Sequence, residues 1–258
     1  MSNFEFSLIL YLFNCTLLLA LIFRSIKKKS PRVFLKFFFL PILLCIPLSL
    51  VLQNVLDISD ISDRQLIANV IVSLWCFKSF TSYKSLKISL LEEFLDQVRQ
   101  SISNKEYFRI VYSVTKLSFF QFLCFSSITC LNYLSGYSAL SGLDIFGITI
   151  CSLGIAIELW CEKELKLYSN DQLSLIRTGP WSITRHPNLL GIVLFFIGIE
   201  ILALGAVGSQ WSLFGLFLLS YIVVKVLIPS TEKKLTLKYS DYGNYMETVP
   251  KLFPLKLK

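Results

Sequence analysis

The chain has 258 residues, 54% of them hydrophobic and only 16% charged, with 25 Lys and Arg against 17 Asp and Glu and a formal net charge of +8. A soluble domain runs about 45–50% apolar and about 25% charged, so this composition excludes an ordinary soluble globular domain. The one histidine, His186, excludes a multi-histidine metal site, and with it the membrane hydroxylases and desaturases that hold iron in that way.

Apolar windows of about 20 residues read as membrane-spanning helices. Seven follow one another, at 4–23, 34–52, 66–83, 110–133, 143–160, 189–210 and 212–228. The third is interrupted by Lys78 and the fourth carries Lys116. No basic charge precedes the first window, whereas Arg24, Lys27, Lys28, Lys29 and Arg32 follow it. That polarity is wrong for a cleaved signal and fits a retained first helix. Lys and Arg mark cytosolic loops, and here alternate loops are basic. Lys84, Lys87, Arg99, Lys105 and Arg109 follow the third window, and Lys163, Lys166, Arg177 and Arg185 follow the fifth. Lys233, Lys234, Lys238, Lys251, Lys256 and Lys258 follow the seventh. The loop after the second window holds Asp57, Asp60 and Asp63 with a single Arg64. The turns after the fourth and sixth windows are uncharged. The expected fold is therefore all-α, a polytopic transmembrane bundle of about seven spans with its amino end outside and its carboxyl end in the cytosol. An amino-terminal hairpin over 1–65 precedes a membrane domain over 66–258. The excess positive charge lies next to anionic headgroups, and no basic-aromatic repeat points to nucleic acid.

Between the third and fourth windows, Leu86, Leu90, Leu91, Phe94, Leu95 and Val98 share one helical face and Glu92, Glu93, Asp96 and Arg99 take the other. This predicts an amphipathic helix on the cytosolic membrane surface. The seven cysteines (15, 45, 76, 124, 130, 151 and 161) form no Cys-x-x-Cys pair and fall mostly in apolar runs, where a thiol packs as a small hydrophobe.

The densest polar segment, Glu158–Asn188, joins the fifth and sixth windows. Gly179-Pro180 is a turn signal. Arg185-His186-Pro187-Asn188 stands directly before the sixth window, with Pro187 suited to the first turn of a helix. The residues ahead of it meet a helix amino end, where backbone N–H groups favour an anion. Arg185 adds a planar fork for phosphate or carboxylate, and His186 a titratable donor. The same two side chains also serve as interfacial anchors in many membrane proteins, and the triplet alone does not separate the two roles. A second polar cluster follows the seventh window: Glu232, Lys233, Lys234, Tyr239, Tyr242 and Tyr245. Of the intramembrane charges Lys78, Lys116, Glu200 and Lys225, the lysines suit snorkelling, whereas Glu200 lies near mid-span.

These blocks taken together resemble a known family. The run IELWCEKELKLY, then TGPWSITRHPNLLG, then EKKL followed by YSDYGNYMETVPKLFP, is similar to the carboxyl-terminal domain of steroid 5-alpha-reductase-like membrane proteins. Leu74-Trp75-Cys76-Phe77-Lys78 is similar to that family's leucine-tryptophan-x-x-arginine segment, which extends the resemblance over 66–258. The wider superfamily includes isoprenylcysteine carboxyl methyltransferases and phospholipid methyltransferases. The resemblance implies a cytosol-facing cofactor pocket that takes NADPH in reductases and S-adenosylmethionine in methyltransferases, with a hydrophobic lipid or sterol substrate entering from the bilayer. Carried over by motif, Arg185, His186 and Asn188 would contact cofactor, with Trp181 and Gly179 shaping the turn. Glu162 and Glu164 would occupy the helix-end acidic and amide positions, and Glu232, Tyr242 and Tyr245 the terminal block. Leu189, Ile192 and Pro180 depart from the family pattern.

The function implied first is NADPH-dependent reduction of a carbon–carbon double bond conjugated to a carbonyl, in a sterol or long-chain lipid. The alternatives are S-adenosylmethionine-dependent methylation of a prenylated cysteine or lipid headgroup, and a divergent non-enzymatic scaffold. No proton donor aligns with the family's, and Tyr83 and Glu200 are candidates by position alone. In a eukaryotic cell the resemblance implies the endoplasmic reticulum membrane.

Overall fold

The computed structural model describes residues 3–27, 34, 37–55, 61–82, 89–134, 139–168, 175–205 and 209–253. Tyr83 lies outside the described residues, as do Lys28, Lys29, Arg32, Asp57, Asp60, Lys84 and Lys87. Within them every regular element is helical. The chain forms two compact units, one of residues 1–140 with 203–212, the other of 141–202 with 213–258.

The first unit contains α1 (Asn3–Lys27), α2 (Leu40–Val55), α3 (Asp63–Thr81), α4 (Ser89–Ser103), α5 (Tyr107–Cys124) and α6 (Ser126–Leu134). A capping box opens α3: Gln65 N donates to Ser62 Oγ at 3.3 Å, and Ser62 N donates back to Gln65 Oε1 at 2.7 Å. Between α5 and α6 the axis bends by 59°. The bend coincides with the Ser126-Ser127 pair, a common cause of sharp kinks, and Ser126 Oγ donates to the Ser212 carbonyl at 3.2 Å. Leu95 and Val98 of α4 are buried in one cluster with Leu18 and Ile22 of α1 and Ile110 and Val114 of α5. At these two positions the apolar face expected to lie on lipid is covered by protein instead. Lys116 and Lys225 are exposed, as snorkelling side chains would be.

Uncharged polar side chains pair inside this unit. Gln65 Nε2 donates to Gln53 Oε1 at 3.1 Å and to the Asn132 carbonyl at 3.0 Å. Asn69 Nδ2 donates to Asn132 Oδ1 at 2.9 Å, and Asn132 Nδ2 to Ser49 Oγ at 2.8 Å. Buried Arg64 donates to the Gly205 carbonyl at 3.0 Å, just past the end of a long apolar helix whose last carbonyls lack helical partners.

The second unit contains α7 (Gly142–Leu167), a 3₁₀ turn at Gly179–Ser182, α8 (Pro187–Leu204, whose last two residues belong to the first unit), α9 (Leu213–Ile222), α10 (Ile228–Lys238) and α11 (Tyr242–Thr248). A π turn at Val223–Leu227 joins α9 to α10. Pro229 explains it: proline lacks an N–H and its ring collides with the carbonyl four residues back, so the turn widens. Helices α7 and α8 pack through glycines. A Cβ on Gly154 would stand 2.6 Å from the Gly191 carbonyl oxygen and 2.7 Å from Phe195 N. One on Gly198 would stand 2.6 Å from both Cys151 N and the Gly147 carbonyl oxygen.

Among the described residues four helices are long and apolar enough to cross a bilayer: Glu5–Lys27, Gly142–Leu167, Pro187–Leu204 and Gln210–Lys238. The bent α5–α6 pair makes a fifth if it is one span. The chain is thus an integral membrane protein. The windows expected at 34–52 and 66–83 correspond to helices outside that group. Helix α2 has 16 residues with Pro47 inside, about 24 Å of rise against a hydrocarbon core of about 30 Å, and α3 carries Arg64, Gln65, Asn69 and Lys78.

Candidate functional site

The polar turn ahead of α8 is held from two directions within the second unit. Gly179 has φ +58°, and a Cβ there would meet Glu164 Cγ at 2.9 Å, so only glycine lets the turn lie this close to the end of α7. On the other side the carboxyl-terminal segment straps the turn. Arg185 N donates to the Pro250 carbonyl at 2.9 Å, Thr184 Oγ1 to the Lys251 carbonyl at 3.2 Å, and Tyr245 Oη to the Trp181 carbonyl at 2.6 Å. Arg177 is paired with Asp241 and lies over the Tyr245 ring, 5.7 Å from its centre.

This frame gathers charge around one carboxylate. Glu232, on α10, accepts from Arg185 Nη1 at 2.9 Å, and His186 Nε2 stands 3.3 Å from the same oxygen. Lys251 Nζ lies 4.0 Å from the second oxygen, longer than a hydrogen bond. The Arg185 side chain is 11% exposed and that of Glu232 16%, so the pair is largely desolvated. Burial pushes the His186 imidazole below its ordinary value, more than the neighbouring carboxylate raises it. The ring is therefore neutral at neutral pH, with Nε2–H the natural donor to Glu232. Tyr242 and Tyr245 are both pushed up to about 12, chiefly by burial, and stay protonated.

Two atoms in this cluster are buried without a partner: Arg185 Nε and Tyr242 Oη. Orphaned donors of this kind are costly unless something accepts from them. Arg185 and Lys251 are cations and Glu232 the acid between them, so the cluster carries excess positive charge, and its unused donors suit an anion.

The structure thus brings together Arg185, His186, Trp181, Glu232, Tyr242 and Tyr245, all expected as site residues. Asn188 is exposed at the start of α8. Glu162 is buried near the end of α7, and Glu200 is buried in α8. Glu200 lies about 20 Å along the axis from His186 at the helical rise. Sequence reasoning did not single out Lys251, Thr184 or the Arg177–Asp241 pair. The signal for them was the Val249-Pro250-Lys251 run, whose carbonyls hold the turn.

Because neutral His186 is the favoured form in the folded chain, acidification should weaken the fold. Below about pH 6.5 the unfolded chain takes up the histidine proton first, so stability falls as pH falls. The apparent melting temperature in detergent should drop between about pH 7 and pH 5.5, and drop less in His186→Gln. Equal pH slopes in the two proteins would remove His186 as the cause.

The model of a protein family of unknown function, DUF1295, matches residues 39–249. The chain belongs to this family. The match takes in Arg185, His186, Glu232 and both tyrosines. Among curated proteins, the nickel-cobalt-cadmium resistance protein NccN of Alcaligenes xylosoxydans xylosoxydans is 28% identical over 118 residues, 45% of this chain and 51% of that protein. The cobalt-zinc-cadmium resistance protein CzcN of Cupriavidus metallidurans is 26% identical over 117 residues, 43% of this chain and 48% of that one. The chain spans about half the length of these curated relatives. No solved structure matches it significantly. Among the described residues no group of three or more His, Cys, Asp or Glu is placed to hold a metal ion.

Proposed function

We propose that this chain is a steroid 5-alpha-reductase-like membrane oxidoreductase that uses NADPH to reduce a conjugated carbon–carbon double bond in a sterol or long-chain lipid. The proposal includes seven crossings with the strapped turn facing the cytosol, in keeping with the alternation of basic loops. The observation that carries it is the pair of orphaned buried atoms, Arg185 Nε and Tyr242 Oη, in a cluster with excess positive charge. That donor set fits the phosphates of a dinucleotide. Arg185 has a free N–H direction besides the one spent on Glu232, Tyr242 offers a protonated hydroxyl, and Lys251 sits beyond hydrogen-bond range of its carboxylate. When bound, NADPH supplies the hydride. Glu232 orients the Arg185 fork, and Trp181, held through its carbonyl by Tyr245, shapes the turn.

One feature favours the second reading, an S-adenosylmethionine-dependent methyltransferase acting on a prenylated cysteine or lipid headgroup. The second oxygen of Glu232 faces Lys251 only at 4.0 Å and could accept from an ammonium. The relatives' names speak of resistance to nickel, cobalt, cadmium and zinc. The cluster around Glu232 holds the cations Arg185 and Lys251, which suits an anion better than a metal ion.

The test is a binding titration of detergent-purified protein with NADPH and, separately, S-adenosylmethionine. NADPH should bind, and Arg185→Ala should weaken it by about a hundredfold, the scale of a charge-assisted contact to a phosphate. Binding of S-adenosylmethionine alone would transfer the protein to the methyltransferases. Binding of neither by folded protein would leave the scaffold reading, with the Leu189 and Ile192 departures as its basis. NADPH binding unchanged in Arg185→Ala would remove the site.

A further inference from the structure

We propose that the first unit holds a binding site for the hydroxyl end of a neutral long-chain lipid, in the cavity between α1, α2, α5 and α6. The site is built from the first unit alone and stands whether or not the second unit binds a nucleotide. The empty space of the cavity is about 350 Å³ with open solvent counted, and within it there is room for about one water-sized group. Ile42, Ile46 and Phe122 are among its apolar lining residues, and Asn14, Ser49 and Asn132 among its polar ones.

The polar lining is wired so that one acceptor is left over. Asn132 Nδ2 donates to Ser49 Oγ at 2.8 Å, its Oδ1 accepts from Asn69, and the Ser49 hydroxyl donates to the Ile46 carbonyl at 2.6 Å. Asn14 is fully buried, and its Nδ2 donates to Ser118 Oγ at 2.9 Å. Its Oδ1 has no partner. An amide oxygen can only accept, so the missing partner is a donor. In a helix facing lipid no bulk water supplies one, and an orphan acceptor there costs free energy.

Charge narrows the choice further. Among the described residues no Lys, Arg, Asp or Glu lines the cavity. A phosphate, carboxylate or ammonium would give up its hydration there without a counter-ion. A neutral donor small enough for that room is a hydroxyl, and the hydrocarbon attached to it leaves through the open side into the lipid. A sterol and a fatty alcohol share that chemistry.

The experiment is photoaffinity labelling of the detergent-purified full chain with a diazirine-bearing hexadecanol, mapped by mass spectrometry. Hexadecanol, hexadecane and palmitate compete in separate series. Crosslinks should fall within residues 42–49 and 122–132. Hexadecanol should displace the probe at a roughly tenfold lower concentration than either competitor, the scale of one buried hydrogen bond. Asn14→Leu keeps the shape without the acceptor and should erase that preference. Ile46→Trp fills the cavity from its apolar lining and should abolish the labelling while leaving Asn14 in place. Labelling spread over the lipid-facing helices would overturn the proposal, as would equal displacement by all three competitors. So would a preference that survives Asn14→Leu in protein eluting like the wild type, or absent labelling, which would assign the cavity to a water molecule. Where a variant fails to fold, the wild-type competition series decides alone.

Discussion

Gly198→Leu should stop α7 and α8 from closing on each other and leave the second unit unable to assemble. The bare Cβ already meets Cys151 Sγ at 2.5 Å, Cys151 N at 2.6 Å and the Gly147 carbonyl at 2.6 Å. Two of these atoms are backbone, so no rotamer change relieves the contact and the helices themselves must move apart. Overpacking a tight core costs about 1–3 kcal/mol for smaller insertions, and a leucine against helix backbone exceeds that range. Gly154→Leu meets the same obstacle at the Gly191 carbonyl and Phe195 N. Close approach of backbones through small residues is the main attractive device between helices in lipid, where burial of apolar surface adds little. Both variants should be lost from the folded peak on size-exclusion chromatography in mild detergent. Gly243→Ala is the counter-case. Nothing lies within 4 Å of its Cβ position and it sits inside α11, so alanine should leave the protein intact or raise its melting temperature slightly. Normal yield and melting of Gly198→Leu would mean that α7 and α8 do not pack as described.

The helical class and the strongest spans were legible because long apolar runs have few alternatives in lipid. The windows at 34–52 and 66–83 were less so. Hydropathy averages Gln53, Gln65, Asn69 and Asn132 with their apolar neighbours and holds no record of pairing, yet these residues build a buried hydrogen-bonded network. Their partners lie as far as 83 residues away, and no local pattern encodes that pairing. The glycines at 147, 154, 191 and 198 are each spaced by seven within their helix, a pattern visible in the sequence whose meaning needs the facing helix. At the site, the Arg185-His186-Pro187 turn and the Glu232 block were recognised as separate motifs through resemblance. That Arg185 and His186 spend contacts on one oxygen of Glu232 follows only from the fold, because the residues are 46 or more positions apart. Thr184, Pro250 and Lys251 escaped notice because their part is played largely through backbone carbonyls, which carry no residue signature.

Glu232→Ala should unlock the turn ahead of α8. Removing the carboxylate leaves the Arg185 guanidinium, 11% exposed and already lacking a partner at Nε, with its 2.9 Å acceptor gone. Breaking a largely buried ion pair from one side costs about 3–5 kcal/mol, because the remaining charge keeps its desolvation penalty without the compensating attraction. His186 loses its acceptor in the same step, although as a neutral ring it loses less. Glu232→Gln separates charge from hydrogen bonding. It keeps an oxygen for Arg185 and His186, so it should recover a large part of the lost stability while adding to the excess of positive charge. Hydrogen exchange followed by mass spectrometry reads this locally. Peptides covering 177–190 and 245–253 should exchange at least tenfold faster in Glu232→Ala, because the Arg185 and Thr184 bonds to Pro250 and Lys251 depend on the same anchor. Peptides from α1 and α5 should exchange as in the wild type. In Glu232→Gln the 177–190 peptides should return most of the way, and affinity for inorganic pyrophosphate should rise, since the cluster then offers the same donors to an anion with one fewer competing carboxylate. Unchanged exchange at 177–190 in Glu232→Ala would mean that the strap holds the turn without the ion pair. A loss of pyrophosphate affinity in a well-folded Glu232→Gln would mean that the carboxylate faces the ligand rather than orienting Arg185 toward it.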